Sequence, residues 1–100
     1  MQAFYLEAFE RDMGCTESEW LGWLPGACGE HALAVAGGSA RVAIDAAGSL
    51  SLHWTVLPAR QIALMRMPRL GVRFRFEGLD EAPRQRFMRR FDLYMQRGGG

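Results

Sequence analysis

Four side chains in this sequence are soft metal-ligand types, Cys15, Cys28, His31 and His53, and two of them fall at the close spacing Cys28-Gly29-Glu30-His31. Zinc sites of known pattern use two such close pairs to complete a tetrahedron. Here Cys15 and His53 stand alone, so no metal site and no cofactor are expected. Without a CxxC pair, both cysteines read as thiols, buried or half-buried, in a reducing cytoplasm. Asp45, Ser51 and His53 supply the residue types of a hydrolytic triad. However, Ser51 and His53 lie two apart on one strand face, and no G-x-S-x-G elbow surrounds Ser49 or Ser51. They read as an outward polar row, no catalytic residue is assigned, and a non-catalytic chain is expected.

The charged residues are more informative, because all twelve basic residues are arginines and ten of them follow residue 59. Residues 1–59 carry Arg11 and Arg41 against Glu7, Glu10, Asp12, Glu17, Glu19, Glu30 and Asp45, a balance of −5; residues 60–100 carry the other arginines against Glu77, Asp80, Glu81 and Asp92, a balance of +6. The acidic half neutralises the basic half within one fold or between two copies, or the basic half meets an anionic partner. A nucleic-acid interface would draw on Arg73, Arg75 and the last helix. An isoelectric point near 7.9, the acidic first half and the lack of aromatic platforms interleaved with the arginines argue against it. Lys and Asn are both absent while Ala, Gly and Arg abound, the composition of a GC-rich, bacterial-like genome, so only the placement of the arginines carries weight.

One hundred residues with 49% apolar and 11% aromatic content make a single globular domain spanning 1–100. No apolar run has the length of a membrane span. The start, Met1 to Glu7, lacks the basic region of a signal peptide. A cytoplasmic protein with no membrane contact is expected.

Several elements are needed to hold these residues. Tyr5, Leu6, Phe9 and Met13 share one side of a helical wheel over residues 2–13. Thr16-Glu17-Ser18-Glu19 is a capping box that opens a second helix with Trp20, Leu21, Trp23 and Leu24, ended by Pro25-Gly26. A five-strand antiparallel meander is predicted next, over 31–36, 41–45, 50–56, 61–67 and 70–77. Gly37-Gly38 makes its first hairpin, and Pro58 and Pro68 mark later turns. Gln61 to Met67 is apolar on both faces and demands cover on both. Asp80, Glu81 and Pro83 open a long last helix, in which Phe87, Met88, Phe91, Tyr94 and Met95 form one arc and Gly98 is a left-handed terminator.

The predicted class is therefore two-layer α+β: two N-terminal helices, a five-stranded antiparallel meander and a long C-terminal helix on the sheet. This order, with Leu24-Pro25-Gly26 before the strands, resembles a trimmed helix-grip plan without its leading strand. The resemblance implies a curved sheet around the last helix and a cavity for an apolar ligand. Two functions follow as expectations. The first is a module that self-associates or docks on a protein partner, through the helix face of Arg86, Arg89, Arg90, Leu93 and Arg97 or through the uncovered 61–67 segment. The alternative is a small apolar or acidic ligand held between sheet and helix, lined by Trp54, Phe74, Met88 and Met95.

Overall fold

Leu50, Leu52 and Trp54 are buried while the alternate residues His53 and Thr55 are exposed, so the clearest period-two run of the sequence forms the spine of the sheet. The computed structural model describes residues 4–46 and 48–98. Its elements, in chain order, are β1 (Ala8–Met13), α1 (Glu17–Cys28), β2 (Ala32–Ala36), β3 (Ser39–Ala43), β4 (Ser49–Ile62), β5 (Met65–Glu77) and α2 (Glu81–Gln96). The strands form one antiparallel sheet in the order β1-β5-β4-β3-β2.

Both helices pack on one face. Phe91 of α2 meets Phe74 edge-on at 5.6 Å, and Phe87 meets Phe76 at 6.2 Å. Trp20 of α1 stands edge-on to Trp54 and to Phe91, at 5.6 and 6.1 Å. Such pairs contribute about 0.5–1.5 kcal/mol each beyond area burial. The helices approach closely at Gly26, where a Cβ would lie 2.1 Å from the Tyr94 hydroxyl oxygen; no larger residue fits without moving Tyr94.

The capping box forms as expected, with the Glu19 N–H donating to the Thr16 hydroxyl at 3.0 Å and the Thr16 N–H donating to the Glu19 carboxylate at 2.9 Å. Gly37, at φ 61°, turns β2 into β3, and Gly98, at φ 66°, follows α2. Asp80 stands at the N-cap of α2, although its side chain makes no capping bond.

Three expectations are corrected. The segment expected as a first helix contains β1 instead, because Phe9, Arg11 and Met13 alternate toward the core and Ala8, Glu10 and Asp12 away from it; Met1 to Ala3 of that segment lie outside the described residues. One helix, not two, therefore precedes β2. Second, α1 continues through Pro25 to Cys28, since burying Ala27 and Cys28 offsets a proline cost of about 3 kcal/mol. Third, Pro58 and Pro68 end no strand. The stretches expected as three strands are two long ones, β4 and β5, joined at Ala63-Leu64, with a register shift between Leu57 and Arg60 that absorbs Pro58.

Candidate functional site

The face of the sheet opposite the helices carries no covering element among the described residues, and strand register arranges its side chains in rows. Glu10, Arg73, His53 and Ser39 are successive cross-strand neighbours, as are Ala8, Arg75, Ser51 and Arg41. Opposite charges meet where β1 borders β5. Arg73 lies 3.2 Å from Glu10, and Arg69 donates to Asp12 at 2.6 and 2.9 Å. That bond and the Arg69 charge hold the Asp12 carboxyl below the usual carboxylate range. The acidic first half and basic second half of the chain thus meet partly within the molecule.

Beyond these rows the β4–β5 ribbon runs on alone. β1 ends at Met13 opposite Leu70, and β3 begins at Ser39 opposite His53. Among the described residues, residues 56–69 accordingly have only each other as strand partners, and the molecule extends to 47 Å along its longest axis against 29 and 24 Å on the others. Ile62 pairs with Met65, and Arg60 with Met67; paired residues share a face, so Ile62, Met65 and Met67 form one apolar strip. At the turn, Ala63 takes φ 54°, where a side chain is strained, and Leu64 projects from the tip. Exposure is 99% for Leu64, 64% for Met65, 53% for Ile62 and 40% for Met67, and Val56 lower on the arm is 63% exposed. Among the described residues of one chain this segment is a hairpin tip with no covering element, not a strand between two layers.

Beside the strip lies an open groove of about 590 Å³, lined by His53, Thr55, Leu57, Gly71, the Glu10–Asp12 edge, and Arg69 and Arg73, which pair with that edge. A Cβ on Gly71 would meet Leu57 Cδ1 at 3.3 Å, so the bare glycine leaves the groove its floor. A second groove of about 500 Å³ adjoins it through His53, Arg73 and Arg75.

The residues expected to form an interface, Arg86, Arg89, Arg90, Leu93 and Arg97, are all exposed along α2, with Leu93 at 42%. Arg90 has a local contact as well: its guanidinium lies against Gly29, at the C-terminal end of α1, where a cation complements the helix dipole. The residues expected to line a pocket lie on the helix side of the sheet. Trp54, Phe74 and Met88 are buried and Met95 is half-buried, in a core where Phe91 fills the space against Phe74 and Trp20 that against Trp54. The Trp54 indole N–H donates to Glu17 at 2.8 Å.

Cys15 and Cys28 are buried free thiols, and burial pushes Cys28 up to about 11. Ser51 and His53 sit on adjacent rows of the open face, while the Asp45 carboxylate accepts from the Gly48 N–H at 2.8 Å. No group of three or more metal-ligand side chains occurs among the described residues. No helix there is long and apolar enough to cross a membrane.

What the sequence concealed is the joining of arm and groove into one surface. Its signal was Gln61 to Met67, apolar at almost every position. Comparison with known protein families, characterised proteins and solved structures finds no match.

Proposed function

We propose that this chain is a small non-catalytic interaction module that associates with itself. The observation that carries the reading is the β4–β5 arm, which presents Leu64, Met65, Ile62 and Met67 to water. These side chains expose on the order of 500 Å² of apolar surface, in the range of the largest patch on a typical monomer, which is often functional. Among the described residues the arm tip holds the densest run of exposed large apolar side chains. The α2 face around Leu93 is a smaller apolar island among arginines, and it is the competing surface. We place the protein in the cytoplasm, a reading supported by two buried free thiols. Sedimentation equilibrium tests the proposal: a reversible dimer at micromolar concentration is expected, and a strict monomer would sink it.

A second reading, an apolar ligand between sheet and α2, draws support from the long final helix that packs on an antiparallel sheet. The close ring contacts of Phe91 and Trp20 weigh against it. A panel of fatty acids and aromatic acids that raises the melting temperature would revive it.

A further inference from the structure

The free edges of the arm limit how it can be used. Pro58 lies on the β4 side and Pro68 on the β5 side, each in a stretch with no neighbouring strand. A proline withholds the N–H that an added strand would need, and prolines on sheet edges discourage pairing there. Docking of the arm is therefore through side chains on its face.

We infer that the occupant of the arm is the open groove of a second copy, with Leu64 of each chain seated over Gly71 of the other. The inference rests on the self-association reading and adds its geometry. By register Ile62, Met65 and Met67 lie on the same face as Leu57, Thr55 and Gly71 of the groove, with Arg69 between the two and Leu64 at the turn beyond, so one chain carries both knob and socket. The tip and Gly71 lie about 20 Å apart at the usual strand rise. A two-fold axis near Met67 brings each tip onto the other's groove, the reciprocal contact a closed dimer requires. Area agrees: one exposed strip is too small for a specific interface, whereas two together reach about 1,000 Å², the lower bound for a stable one.

Three variants test this arrangement. Leu64 is so exposed that Leu64→Asp leaves the fold intact, and it is expected to raise the dimer dissociation constant about tenfold or more. Leu93→Asp on α2 is expected to leave that constant unchanged. Leu64→Cys mixed with Thr55→Cys is expected to yield a crosslinked heterodimer under mild oxidation, while neither variant crosslinks with itself. A monomer at about 100 μM overturns both this inference and the proposed function. A dimer that tolerates Leu64→Asp, yields to Leu93→Asp, or crosslinks through Leu64→Cys alone overturns the groove assignment and leaves self-association standing.

Discussion

Arg11 of β1 and Asp92 of α2, 81 residues apart, form a two-pronged ion pair beneath the sheet edge, with Nη2 to Oδ2 at 2.8 Å and a second bond from Nη1 to Oδ1. The Tyr5 hydroxyl donates to the same carboxylate. The guanidinium also lies over the rings of Phe9 and Phe74, each at 5.3 Å. An inward cation on an edge strand is a device that discourages further pairing, and here it also bolts that strand to the last helix.

Removing Asp92 takes from Arg11 the buried carboxylate that holds both prongs of its guanidinium. Asp92→Ala is expected to lower unfolding stability by about 3 kcal/mol, the low end for a broken buried pair because Arg11 keeps some contact with water. Urea denaturation of the variant measures this. A loss under about 0.5 kcal/mol would mean that the pair contributes nothing beyond a surface contact.

Burial, aided by the bond to Asp92, pushes Tyr5 up to about 12. The unfolded chain ionises this phenol near its ordinary value of about 10, whereas the folded chain holds the proton. Its contribution to stability is therefore complete below pH ~10 and is lost as the pH rises through about 12. Tyr5→Phe should flatten the alkaline decline in stability between those limits, measured as the difference between the two proteins' urea midpoints. Coincident slopes would refute the assignment.

Phe91 touches Phe74, Phe87 and Trp20 and is wholly buried. Phe91→Ala is expected to cost about 3–5 kcal/mol. The exposed Leu93, two positions on, is expected to change stability by about 0.5 kcal/mol or less on the same substitution. Thermal melts of the two variants check the contrast.

Gly26→Ala places a methyl group against the Tyr94 ring. Overpacking of this kind costs about 1–3 kcal/mol. The double variant Gly26→Ala with Tyr94→Leu should recover part of it, since the shorter side chain vacates the space. Failure of the double variant to recover would trace the cost to the helix backbone.

Elements with one strong period were legible from the sequence. Phe87, Met88 and Phe91 marked the buried face of α2, and Gly37-Gly38 marked its hairpin, because each depends on local rules that tertiary contacts reinforce. Strand β1 was hidden for a physical reason. Tyr5, Phe9 and Met13 are spaced by four, which suits a helix and an alternating strand equally, and the residue that would decide between them, Arg11, is a charge on the inward face. Its acceptability depends on Asp92, which no local rule can supply. The arm was hidden by its punctuation. Pro58 and Pro68 read as turns but lie in strands with open edges, and the actual turn uses Ala63 and Leu64, neither of them a turn residue. The need of Met65 and Leu64 for cover was legible, whereas the groove was not, since it exists only after β4 and β5 pair Thr55 with Gly71 and bring Leu57 beside it.

Pro58 and Pro68 also set an upper limit on growth. A greasy ribbon with two bare margins would ordinarily seed fibrils, each molecule templating the next without end. With a proline in each margin, stacking of chain upon chain is interrupted at every step. The arm's apolar face stays available to a partner while its margins resist edge-to-edge growth.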